Sequence, residues 1–197
     1  METNKIKELL LQSLEHEMDG VEVYQTALKC VINKDLKEEW GKYLQQTEKH
    51  VQVLHEVCLR MQLDPEEGTP GRKIVHDMDA PLVAAMESAL GSGDEEAAQC
   101  VACECVVLAE TVDHSNWELI GEVAKQMTGA DGKALKEAYG EVEDEEDEHL
   151  YHSKGWLREL SLEGLGLKAV LPPPEERKHV KTAIGAARAE KERTRMR

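Results

Sequence analysis

Apolar residues recur along this chain at i, i+3 or i+4 and i+7 in four long stretches, the spacing that keeps one face of a helix dry. Over about 4–32 the stripe is Leu10, Leu14, Val21, Leu28 and Val31, and over about 36–63 it is Trp40, Tyr43, Leu44, Val51, Leu54 and Met61. Over about 94–127 it is Val106, Val107, Trp117, Ile120, Ala124 and Met127, and over about 133–160 it is Leu135, Tyr139, Val142, Trp156 and Leu160. The breaks between stretches set the topology. Asn33–Asp35 and Thr128–Gly132 are short, so the first two helices and the last two should form antiparallel hairpins. Between the second and third lies a longer segment that opens DPEEGTPG and ends GSGD. Within it, Asp79–Leu90 carries an Asp cap and an early Pro81, the marks of a short helix start. A helix of about 28 residues is about 42 Å long, and this segment can cross that length. The expectation is an all-α, up-down-down-up four-helix bundle, with one long crossover carrying a short extra helix between helices two and three.

Polar residues on the dry stripes are the informative exceptions, because burying them without partners costs about 1–3 kcal/mol or more. Helix one turns Glu17 inward in the series Leu10, Leu14, Glu17, Val21, Tyr24, Leu28. Helix two turns in Thr47 and His50, and helix three stacks Glu110 and His114 at i, i+4. Helix four aligns Val142, Glu146 (or Glu145), His149 and Trp156. Six consecutive acids, Glu143–Glu148, run into His149. They cannot share one helix face, so Asp144, Asp147 and Glu148 are expected to point to water. Inward carboxylates repel one another in a core unless protonated or neutralised. A divalent cation removes the conflict, since carboxylate and imidazole suit iron, manganese or zinc. Glu146-x-x-His149 places both side chains on adjacent turns, able to converge on one ion. The alternative use of His50 and His114 is as core histidines hydrogen-bonded to Glu17 and Glu110 without metal. His152 is expected beside the site or exposed, and His16, His55, His76 and His179 toward solvent.

These residues carry a resemblance. Four helices that present Glu17 followed by Tyr24, Glu110 followed by Trp117 at the same interval, and Glu146-x-x-His149 resemble the ferritin-like, rubrerythrin-type carboxylate proteins. In that superfamily two helices each give a Glu and two each give Glu-x-x-His. The resemblance covers about 1–165 and implies a non-haem di-iron site with Glu17, His50, Glu110, His114, Glu146 and His149 as ligands. It implies Fe(II) oxidation with O₂ or peroxide as acceptor, and a homo-oligomer. The chain departs from the pattern at helix two, where Thr47-x-x-His50 stands in place of Glu-x-x-His and Glu48 should face away. His114 is the candidate to supply the missing ligand. The stretch TEKHVQVLHEV also resembles stress-associated ferritin-like proteins of bacteria. A metal-free helical interaction protein of a stress response is the contrasting reading.

Composition narrows the partners. The net charge of −16 argues against nucleic acid or an anionic membrane as the main partner. The start, METNKIKELL, lacks an apolar segment behind a basic one, and no apolar run approaches about 20 residues, so a cytoplasmic protein is expected. Five cysteines are an odd number, and Cys100, Cys103 and Cys105 fan around a helix axis. They read as buried thiols, with a redox pair the lesser alternative. Pro172–Pro174 ends the bundle and begins the basic part of a tail, 166–197, that holds eight Lys/Arg against four Glu beyond the prolines. Val180, Ala183, Ile184 and Ala187 can line a short amphipathic helix there, or the tail can be disordered.

Overall fold

A computed structural model describes residues 3–167. The proline run, the basic tail and His179 lie outside the described residues. Five helices follow in order: α1 (Thr3–Cys30), α2 (Lys34–Arg60), α3 (Pro70–Gly91), α4 (Glu95–Gln126) and α5 (Gly129–Gly164). No strand occurs among the described residues, and no helix there is long and apolar enough to cross a membrane.

Local chemistry starts each helix where it does. The Asn33 side chain accepts from the backbone N–H groups of Asp35 and Leu36, satisfying the first donors of α2. Asp94 accepts from the Ala97 N–H, and Glu95 and Glu96 place negative charge at the positive end of α4. Thr69 caps α3, with Pro70 in the first turn where its missing N–H costs nothing. That cap corrects the expected crossover. The extra helix has 22 residues, and Pro81 lies inside it rather than at its start. Asp79 caps nothing; its carboxylate is buried against His16. The break expected at Thr128–Gly132 is also shorter, because Gly129 takes a left-handed φ of 77° and α5 begins there.

Side-chain pairs give the helix directions. Trp40 with Ser153, Gln46 with His149 and His50 with Glu145 run up α2 and down α5. Gln99 accepts from the N–H groups of Ile32 and Asn33, and Trp117 donates to Glu17, so α4 descends along α1. Neighbouring packing closes a ring α1–α2–α5–α4, and α3 lies against α1 and α4. Helix α3 runs parallel to α1. Thr69 meets Glu8, Arg72 meets Glu15 at 2.6 Å and His76 meets Asp19 at 2.9 Å. Its C-terminal half instead buries Met86, with Leu82 and Val83, in the apolar interior.

That interior is in two parts. One cluster holds Tyr24, Ala27, Leu36, Trp40, Tyr43, Met86, Ala102 and Val106, and the other holds Leu10, Leu14, Leu54, Trp117, Ile120, Leu135 and Val142. Between them along every ring helix comes a polar level. Cys103 and Cys105 belong to the first cluster, and burial pushes their thiols up to about 12 and about 11. Such thiols are poor nucleophiles, which weighs against redox chemistry at CVACEC.

Met86 is fully buried and anchors α3 to the ring. Met86→Ala is expected to lower stability by about 2–5 kcal/mol, the usual range for such a truncation, read from the midpoint of urea unfolding.

Candidate functional site

The polar level is built from one or two residues of each ring helix. Glu17 (α1), His50 (α2), Glu110 and Asp113 (α4), and Glu146 and His149 (α5) are all buried. His50 Nδ1 lies 2.9 Å from Glu146 Oε1 and 3.6 Å from Glu17 Oε1. His149 Nδ1 lies 3.6 Å from Glu110 Oε2 and 3.7 Å from Glu146 Oε1. One ligand atom each from His50, Glu146 and His149 falls within 4.8 Å of both others. Two atoms each about 2.1 Å from a common ion lie about 3–4 Å apart, so these separations suit a shared cation.

Both imidazoles are oriented from behind. His50 Nε2 donates to Glu145 Oε2 at 2.9 Å, and His149 Nε2 donates to Gln46 Oε1 at 3.1 Å. With Nε2 committed outward, Nδ1 of each ring aims at the carboxylates. Metal-binding histidines are commonly held this way, the second nitrogen donating to a carboxylate or carbonyl. Tyr43 packs its ring 4.3 Å from that of His149 and donates to Glu39, which also accepts from Trp156 and contacts His152. His152 therefore stands one layer behind the site, and Tyr43 and Trp156 tie it to the surface.

The inward atoms lack hydrogen-bond partners, although His50 Nδ1 and His149 Nδ1 stand in ion-pair range of Glu146 and Glu110. Glu17 Oε2, Glu110 Oε2, Asp113 Oδ1, Glu146 Oε2, His50 Nδ1 and His149 Nδ1 are all buried without a hydrogen bond. Glu17 has one strong bond, from Trp117 Nε1 to Oε1 at 2.6 Å. Each unsatisfied polar atom costs about 1–3 kcal/mol, and a cation at their common point would satisfy several at once. This donor set fits a bound metal. Electrostatics express the same strain. Burial, then Glu17 and Glu110, lift the Glu146 carboxyl to about 7 against the pull of His50. Burial opposes charge on His50, but Glu17 and Glu146 outweigh it and raise the ring to about 11. A proton there supplies part of the positive charge that the carboxylates demand.

Five of the six sequence candidates (Glu17, His50, Glu110, Glu146 and His149) come together in this level. His114 does not, and the expectation that it fills the gap left by Thr47 is corrected. It faces Asp147 Oδ1 at 3.4 Å and Glu118 Oε1 at 3.8 Å, on the side of α4 that meets α5. There a cleft of about 510 Å³ opens, lined by His114, Glu118, Tyr139, Glu143 and Asp147, and it reaches Glu146. Burial lowers His114, while burial and then Glu143 and Asp144 raise Asp147 to about 7. Asp147 was expected in water and is buried. A ring helix has neighbours on two sides, so Glu145 turns to α2, Glu146 to the centre and Asp147 to α4. His16, also expected outside, is buried against Asp79.

Asp113 was missed, although it sits one turn after Glu110 and one turn before Trp117 on the same stripe. That periodicity could have found it. Elsewhere Glu15, Asp19 and His76 also cluster between α1 and α3. There Arg72 already neutralises Glu15 at 2.6 Å and His76 pairs with Asp19, so these charges are balanced within the protein.

A pH dependence follows for the metal-free protein. Glu146 and Asp147 have folded values above the ordinary carboxylate range, so their contribution is complete at low pH and lost as pH rises through about 7. His50, raised from 6.5 to about 11, contributes fully below 6.5 and loses that contribution as pH rises toward 11. The lowered carboxyls Glu39 and Glu145 contribute fully above about 4.5 and the lowered His114 above 6.5, and each loses its contribution only as pH falls below that value. Melting of the chelator-treated protein is therefore expected to fall from pH 6.5 to pH 8.5, and Glu146→Gln should flatten the slope.

No family model matches the chain, and no curated protein or solved structure matches it.

Proposed function

We propose that this protein is a ferritin-like bundle that binds a non-haem metal pair, iron first among the candidates, at the polar level between its two apolar clusters. The observation that carries the reading is the paired orientation of His50 and His149. Glu145 and Gln46 hold the outer nitrogens, and both Nδ1 atoms aim at Glu146 within reach of Glu17 and Glu110. Glu17, Glu110 and Glu146 would chelate or bridge, with the two imidazoles completing the coordination. Oxygen and nitrogen donors of this kind suit iron or manganese, with zinc less favoured by so many carboxylates.

Iron bound there would supply Fe(II) oxidation with O₂ or peroxide as acceptor. The chain's own groups do the rest. Trp117 fixes Glu17 through its indole N–H, leaving the second oxygen free to bind. Tyr43, whose ring packs on His149, and Trp156 hold Glu39 and with it His152, so a hydrogen-bonded group braces the site on the side of α2. The apolar clusters on either side exclude water, which strengthens each charge interaction at the centre. The cleft beside α4 and α5, acidic at Glu118, Glu143 and Asp147, offers a route for cations to Glu146.

A second reading, a metal-free interaction bundle, draws on Thr47 in place of a ligand and on the proton that His50 holds between carboxylates. Metal analysis separates the two. Protein purified without chelator and loaded anaerobically with Fe(II) is expected to retain about two ions per chain, as carboxylate-bridged pairs do. The Glu146→Ala/His149→Ala double variant is expected to retain none. Loading at about 100 times the dissociation constant should stabilise the fold by about 2.7 kcal/mol. Retention of no metal by the wild-type chain would leave the interaction bundle as the function.

A further inference from the structure

We propose that Asp113 is the fourth carboxylate ligand of this site, carried by α4 in place of one that α2 lacks at position 47. The inference rests on the metal-binding reading and asks how the chain completes its ligand set. Along α1, the level of the site passes from Glu17 to Gly20. A Cβ at Gly20 would meet Thr47 Cγ2 at 3.4 Å and Asp113 Oδ2 at 3.5 Å. These three positions therefore face one another, and Gly20 puts no side chain between the other two. Thr47 offers nothing to the centre, since its hydroxyl donates back to the Tyr43 carbonyl at 3.0 Å and its methyl is what faces Gly20. Asp113 thus comes from α4 to the level at which a longer residue at 47 would present a carboxylate.

The state of that carboxylate points to a ligand. Asp113 is only 3% exposed, and its Oδ1 is buried with no hydrogen-bond partner. The charges that bear on it most are Glu17, Glu146, Glu110 and Asp79, all acidic. An isolated carboxylate among carboxylates is the costliest group to bury, and an aliphatic residue would fill the same space without that cost. A cation inside the cluster removes the cost and gives Asp113 something to bind. Glu110 and Asp113 lie at i, i+3 on α4, so both reach one face. The resulting set is Glu17, Glu110, Asp113, Glu146, His50 and His149. It matches in number the four carboxylates and two imidazoles that carboxylate-bridged bundles assemble, and four negative charges balance two divalent cations.

The test compares full-length wild type, Asp113→Asn, Thr47→Glu/Asp113→Asn and Glu146→Ala/His149→Ala. Each is dialysed against Mn(II) and analysed for bound metal, with circular dichroism and melting of the chelated forms alongside. Asp113→Asn is expected to hold about one ion where wild type holds about two, or to bind the second at least about ten-fold more weakly. Its chelated form should melt no lower than wild type, because Asn keeps the size of Asp and leaves no carboxyl buried among acids. Thr47→Glu in that background is expected to restore the second ion. If Asp113→Asn binds as wild type does while the Glu146/His149 double variant binds nothing, Asp113 is no ligand and the metal reading stands. If Thr47→Glu restores nothing, the equivalence of positions 47 and 113 is overturned. If wild type itself takes up no Mn(II), this inference and the reading beneath it fall together.

Discussion

The protein is organised around a concentration of negative charge that it has enclosed. Glu17, Glu110, Asp113 and Glu146 meet two imidazoles where water is excluded. Mutual repulsion at this level grows as water is excluded, and the ordinary remedies in the chain are few. Trp117 satisfies one oxygen of Glu17, and His50, raised by the carboxylates around it and 2.9 Å from Glu146, offsets part of the rest. The surrounding structure has to be strong enough to hold these groups together until a counter-ion or protons do so.

Much of that strength comes from groups that never touch the centre. Glu145 and Gln46 fix the imidazoles by their outer nitrogens, and Tyr43 packs against His149. Helix α3 braces α1 from outside with polar pairs at one end and Met86 at the other, so the helix carrying Glu17 and Gly20 is gripped on its far side. Two apolar clusters above and below then close the level.

The all-helical architecture and the five converging candidates could be read from periodicity, because a polar residue repeating in phase with Leu and Val has nowhere to go but inward. Glu17, His50, Glu110, Glu146 and His149 obey that rule. His114 also lies on the stripe, yet it serves the boundary between α4 and α5, since a stripe wide enough to meet two neighbours does not say which one a residue faces. Asp147 and His16 were placed in water for the same reason: periodicity describes one buried face, whereas ring helices bury two sides and α1 a third beneath α3. Helix α3 was read too short because Asp79 and Pro81 imitate a helix start. The true one, Thr69-Pro70, was hidden in a Gly- and Pro-rich stretch that resembles a turn.

The division of the interior has a consequence for how the sequence can change. Residues such as Ala102 and Ile120 belong to separate clusters with a charged stratum between them. Substitutions in distant, independently packed regions contribute nearly additively to stability. Either half can thus drift, enlarging or shrinking its aliphatic side chains, without the other having to compensate. The stratum is the shared boundary condition, and mutational tolerance should be narrowest there.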